Sequence, residues 1–386
     1  MSLTEQDPLD PTDRATARRT FYRIVEHFEA IDPYHSRATR AQSSTTYSQP
    51  RLIRYTYEYA LSDDSRDIFL RAFFGSLALD LSQDYNDLDF QELAPLFTGF
   101  AEYLIDSFFL PLKAATRKTP QPSPVYHSAV LRAQGGTTAQ GFIGTPERLS
   151  SLRGACLTRD RHRCVISRKF STHEYAERYR LHGDEACDDD GVPFTRQEFG
   201  QYEALEVAHI LPHSLMKANA DAEMDAPRQA ALAILNMFDK GVAHIIDGVD
   251  IDRPLNALTL SIRLHQHFGE FQIYFDPVPN QPNTYRIESF LLPPVNFTFG
   301  LPITRRLYVT EARTVDPPSP RLLAVHRAIA HILHLSGAGD YISRVLRDME
   351  DNVVRADGTS ALGRMGLGLQ KAADMTAAIG VTRRIQ

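Results

Sequence analysis

Leu205-Glu206-Val207-Ala208-His209-Ile210-Leu211-Pro212 carries apolar residues in alternation through Leu205 and Val207 and stays apolar after His209. A period of two predicts a buried strand that delivers one imidazole, His209, to a site. Further along, Asp252-Arg253-Pro254-Leu255-Asn256-Ala257-Leu258-Thr259-Leu260 contributes Asn256, and Leu264-His265-Gln266-His267-Phe268-Gly269 contributes His265. Ser261 can cap a short helix that Gly269 ends, which puts His265 in its first turn or just beyond. Asn256 is then expected in the loop leading into that helix. In chain order the polar residues read His, Asn, His.

A fourth block, Arg159-Asp160-Arg161-His162-Arg163-Cys164-Val165, lies upstream. With Ala208 to Pro212, Asn256 to Leu260 and His265 to Gly269, it resembles the HNH endonuclease superfamily, the ββα-metal nucleases, and among them the fungal HNH nuclease-domain proteins. The blocks fall within residues 148 to 300, and the flanking helical regions extend the likeness over most of the chain. The resemblance implies a metal-dependent endonuclease that hydrolyses phosphodiester bonds of nucleic acid, DNA rather than RNA. By that resemblance His209 is the general base, His265 binds a divalent ion (Mg2+, Mn2+ or Zn2+), and Asn256 either binds the ion or orients His209. These three are the expected catalytic residues.

Ala208 departs from the pattern, because many HNH nucleases carry a metal-ligating acid or second histidine immediately before the base. Glu206, Asp252 and His267 are the candidates for support. Glu206 and His209 point to opposite faces of a regular strand, so Glu206 reaches the base only across a bulge. Ala208 and the acidic balance of the chain open two alternatives. The scaffold is repurposed for acid/base chemistry on a small molecule, or it serves as a nucleic-acid or protein interaction module with no metal bound.

The 386 residues are 43% hydrophobic and 23% charged, the composition of an ordinary globular protein. Met1 to Arg19 has no apolar segment of signal-peptide kind, and no run of the sequence reads as a membrane span, so an intracellular protein, cytoplasmic or nuclear, is expected. Three cysteines, Cys156, Cys164 and Cys187, form no CxxC pair and are too few for a disulfide framework, which predicts reduced thiols. The formal net charge of -6 argues against avid, nonspecific binding to phosphates. Between Glu147 and Arg180, however, nine basic residues face four acidic ones, and Arg159, Arg161, Arg163, Arg168 and Lys169 are the expected nucleic-acid contacts.

Helical spacing at 14–35, 51–61, 64–81 and 90–113 predicts an α+β protein with a helical N-terminal region over 1–114. Its aromatics, including Phe73, Phe74, Phe108 and Phe109, read as core. The Pro- and Gly-bearing stretch 115–144 reads as a linker, 145–312 as the HNH-like domain with a long insertion, 313–352 as a C-terminal helical segment and 353–386 as a loosely ordered tail. Thr145-Pro146 starts a helix, Arg163 to Ser167 a short strand. Asp188-Asp189-Asp190-Gly191 reads as a solvated turn. Two alternating runs near 271–275 and 284–290 predict a hairpin. His326, His331 and His334 on the last helix are expected at the core edge.

Overall fold

The computed structural model describes residues 7–35, 47–116, 146–197, 200–212, 226–246, 248–310, 312 and 314–353. The expected linker, the Thr145 cap, His213 and the expected tail lie outside them, save the linker's first residues and Val353. The elements, in chain order, are α1 Pro11–Ala30, α2 Gln49–Glu58, α3 Asp63–Ser76, α4 Phe90–Leu104, α5 Leu110–Thr116, α6 Pro146–Arg159, β1 Phe170–Ser171, α7 Thr172–His182 and β2 Tyr202–Glu203. They continue as β3 Leu205–His209, α8 Ala226–Phe238, β4 Ala257–Ser261, α9 Ile262–Gly269, β5 Ile273–Pro277, β6 Thr284–Ser289, α10 Pro293–Phe299, β7 Ile303–Arg306, α11 Pro320–Ser336 and α12 Ala338–Val353. The fold class is α+β.

Two compact units share the chain, and neither is continuous in sequence. The first takes 1–114, 218–243 and 331–386; the second takes 115–217 and 244–330. In this division α8, from within the long insertion, belongs with the N-terminal helices.

Polar caps and prolines begin the helices of the first unit. Asp10 accepts from Thr12 ahead of Pro11, Ser48 from Arg51, Ser62 from Ser65, and Asp89 from both Gln91 and Glu92. Each cap satisfies a backbone donor that the first turn leaves open. The apolar faces close on an aromatic core: Phe21 packs on Tyr57, Phe69 and Phe73, and Phe108 and Phe109 pack on Phe238 of α8. Phe73, Phe74, Phe108 and Phe109 are fully buried, as their spacing predicts. Phe90–Thr116, helical throughout with a π turn at Ile105–Phe109, is long and apolar enough by length and composition to cross a membrane, contrary to the expectation from sequence. Over half of its most apolar window is buried inside the protein, the position of a core helix.

In the second unit β3 and β4 pair antiparallel without interruption, from Leu205 opposite Ser261 to His209 opposite Ala257. The helix α9 follows directly from β4. Residues Ala257–Ser261, expected as loop, are thus the second strand of the hairpin that bears His209. Strand alternation gives the hairpin two different faces. On one, Val207 and Ala257 pack with Leu152 and Cys156 of α6. On the other, Glu206 meets α9. A separate antiparallel sheet runs β5-β6-β7, the first two strands being the predicted hairpin.

The segment 163–200 differs from its expected form. Arg163 to Ser167 is a tight turn rather than a strand, with Cys164 N–H donating to Lys169 O at 3.0 Å. Beyond this turn lies a small separate core, Phe170, Ala186 and Phe194 with Tyr175 and Tyr202 against them. Polar composition hid this core because five aromatic and small residues suffice to build it.

Candidate active site

Two histidine–carboxylate pairs flank the hairpin. His209 Nε2 lies 3.1 Å from Asp252 Oδ1, and the two side chains are only 6% and 1% exposed. His265 Nδ1 lies 2.6 Å from Glu206 Oε2. A carboxylate is an acceptor, so Nε2 of His209 and Nδ1 of His265 carry the protons that these two bonds use. The ladder between β3 and β4 has no bulge. Glu206 therefore stays on the α9 face, away from His209, and Asp252 from the adjoining loop is the carboxylate that meets the base.

Asn256 occupies the last position of a single helical turn, Pro254–Asn256, and is fully buried. Its Oδ1 accepts from Leu211 N–H at 3.0 Å, while Nδ2 donates to Leu211 O and to Ile251 O, each at 2.9 Å. Leu211 stands two residues beyond His209, and Ile251 immediately precedes Asp252. One amide thus holds the two backbone segments that carry the two members of the pair.

A second brace comes from below. The Arg159 guanidinium is bidentate on Asp160 at 2.8 Å for both bonds, and donates to Pro254 O at 2.7 Å and Ala257 O at 2.9 Å. Asp160 in turn accepts from Thr259 N–H at 3.2 Å. Burial works against the charge on Arg159, but Asp160 and its neighbours win and raise the guanidinium above its ordinary value. Arg159, an expected nucleic-acid contact, is 1% exposed and its donors are spent inside the protein. Beside an aspartate, in a run of basic residues, nothing local in the sequence separates it from a surface arginine.

The remaining expected contacts are mostly neutralised. Arg161 pairs with Asp190, Arg163 with Asp188 at 2.5 Å, and Lys169 with Glu203 at 3.1 Å. Asp189 binds both His162 and Arg178. Burial opposes the charge of Asp189, but its hydrogen bonds to His162 and Arg178 and their electrostatic attraction hold its carboxyl down at about 2. The Asp188-Asp189-Asp190 run forms the expected turn, with Asp189 and Asp190 exposed and Asp188 buried, and it also supplies the counter-charge of the basic block. Arg168 alone among the five lacks a carboxylate within the described residues. His267 stands apart from both pairs, with Nδ1 2.8 Å from Gln272 Oε1 and its ring edge on Phe299.

His326, expected at the core edge, is buried. It stacks on Phe268 at 3.9 Å and on Phe271 at 4.6 Å, and its Nε2 donates to Phe268 O at 3.1 Å. The partner rings are those of α9 and the residue just past it, so His326 locks the helix that carries His265. Burial pushes its pKa down to about 3.

Residues 164–276 match the family model of the HNH endonuclease, a span that runs from the Cys164 turn through both strands of the hairpin, α9 and most of β5. The chain carries a domain of the HNH endonuclease superfamily. The match supports a nuclease-type function on nucleic acid, and the family in general uses a divalent metal. No curated protein and no solved structure matches the chain.

The donor set bears on whether such an ion fits. His265 is prepared as a ligand is, its second nitrogen held by a carboxylate. The other expected ligand, Asn256, has its carboxamide committed to backbone groups, and Ala208 offers no donor. Among the described residues there is no group of three His, Cys, Asp or Glu side chains able to hold a metal. Among the described residues, His265 alone beside a base at His209 does not make a protein-built metal centre.

Proposed function

We propose that this protein is an HNH-type endonuclease acting on nucleic acid, with His209 as general base. The observation that carries the proposal is the His209–Asp252 pair at the end of the hairpin strand, held from both sides by Asn256. Asp252 keeps the proton on Nε2 and favours the imidazolium that forms when Nδ1 accepts a proton from water. Asn256 is a positioning residue in this scheme, fixing the separation of base and carboxylate through Leu211 and Ile251. Arg159 and Asp160 act further back, fixing the strand that follows Asn256. DNA is the proposed substrate, and an intracellular location follows from that substrate.

The test is cleavage of supercoiled DNA and of structured RNA by wild type and by His209→Ala, each with and without added Mg2+, Mn2+ or Zn2+. Wild type is expected to nick DNA, and His209→Ala to fold but not to cut. No cleavage of DNA or RNA by wild type under any of these conditions would sink the nuclease assignment. In that event a second function stands, favoured by Ala208 and by the 6% exposure of His209: the scaffold binds nucleic acid without cutting it.

A further inference from the structure

Arg168 sits at the end of the Cys164 turn with φ of 65°, in the left-handed region where a glycine is at ease and an arginine is strained. The turn is well held: Arg168 N–H donates to Cys164 O at 3.0 Å, and Val165 N–H donates to Thr259 O of β4 at 2.9 Å. Its guanidinium lies 4.2 Å from the centre of the Tyr308 ring, with Arg161 5.3 Å from the same ring. Nη2 donates to Arg306 O, whereas Nη1 is buried without a hydrogen-bond partner. Arg305, on β7, approaches the same turn and donates from Nε to Ile166 O at 2.7 Å.

Arg168 and Arg305 repel each other. Burial, and then the cation of Arg168, lower the Arg305 pKa from its ordinary value. Arg161, Arg163 and Arg178 have aspartates; among the described residues Arg168 and Arg305 have no carboxylate. Two guanidinium groups brought together without a carboxylate, one with a buried unused donor and a strained backbone, form a place that gains by taking an anion. Guanidinium forks match the oxygens of a phosphate, and an aromatic face beside them holds the planar cation in place. Arg305 and Tyr308 lie outside the segment matched to the HNH family.

We propose that Arg168 and Arg305, framed by Tyr308, bind one phosphate group of a nucleic-acid strand. The choice of strand rests on the proposed action on nucleic acid; the anion site itself does not. Full-length wild type, Arg168→Gln, Arg168→Gly and His209→Ala are titrated with a short labelled duplex, without divalent ions, between about 50 and 200 mM salt. Each is also heated with and without pyrophosphate.

Wild type and His209→Ala are expected to bind the duplex with equal salt slopes and to gain the same Tm from pyrophosphate. Both Arg168 variants should lose the pyrophosphate gain, and their slope of log K against log salt should be shallower by about 0.9, one phosphate contact. Arg168→Gly separates this from a structural role, because relief of the left-handed backbone should leave its Tm at or above that of wild type. Variants that keep the wild-type slope and the pyrophosphate gain overturn the proposal. So does a pyrophosphate response with no duplex binding at the lowest salt. Absence of cleavage by wild type bears on the nuclease assignment alone, since neither measurement depends on turnover.

Discussion

Asp252, at the end of the short helical segment Gly248–Asp252, meets His209 at the end of β3, with Oδ1 3.1 Å from Nε2 and almost no solvent at either side chain. Replacing the carboxylate by an amide keeps the shape but removes the charge and puts a donor beside the acceptor, so the tautomer is no longer fixed. Asp252→Asn should therefore lower the cleavage rate by about a hundred- to ten-thousand-fold with KM little changed. Rate constants under saturating DNA, with the Tm of both proteins, check this. A rate equal to wild type would remove Asp252 from the mechanism.

Asn256→Ala strips partners from Leu211 N–H, Leu211 O and Ile251 O, all in a buried setting. Each orphaned group costs about 1–3 kcal/mol, so the loss in urea unfolding should exceed that of an ordinary surface change several-fold. Asn256→Asp restores only the acceptor and should rescue less than half of the loss. Activity should fall with both, because the base and its carboxylate lose their common anchor.

Arg159→Met tests the buried brace. It leaves Asp160 charged and buried with one backbone donor, and should destabilise the protein by about 3–5 kcal/mol. Arg159→Met with Asp160→Leu should recover much of that cost, since removing both charges avoids the unpaired carboxylate. Equilibrium urea curves for the three proteins decide the matter, and a single variant as stable as wild type would show the pair to be idle.

His326 gives a pH dependence with a definite sign. Its folded pKa of about 3 lies below the ordinary 6.5, so the unfolded chain takes the proton first. The stability owed to neutral His326 is full above pH 6.5 and is lost as pH falls toward 3. Unfolding near pH 5 should thus take up roughly one proton at this site. In His326→Phe, which keeps the stacking on Phe268 and Phe271, the fall in Tm between pH 7 and pH 4 should be shallower by that one proton.

Strand β3 and helix α9 are legible in the sequence because their signals are local: alternation at Leu205 and Val207, a serine just before the helix and a glycine at its last position. His209, Asn256 and His265 are legible as residues of interest for the same reason. Which carboxylate serves which imidazole is not. Glu206 is nearer to His209 in sequence, but strand alternation sends it to the other face, and Asp252 arrives through a loop closure that no local pattern encodes. Arg159 misleads because burial of an ion pair is decided by Pro254, Ala257 and Thr259, about a hundred residues downstream. The role of Asp188 to Asp190 depends likewise on arginines that pack against them only after folding.

The interrupted course of the first unit has a consequence during synthesis. Phe108 and Phe109 leave the ribosome long before Phe238, the ring they pack against, and residues from His331 onward, which complete the same unit, come last. Until then Phe108 and Phe109 lack the α8 ring they pack on, whereas Phe97 and Phe100 of α4 already have Phe28, Phe69 and Phe73 of earlier helices. A nascent polypeptide halted after the matched segment would have its His209 hairpin complete while its helical unit was unfinished and adhesive. The order of translation, more than the thermodynamics of the finished molecule, then sets how long those two rings wait for their partner.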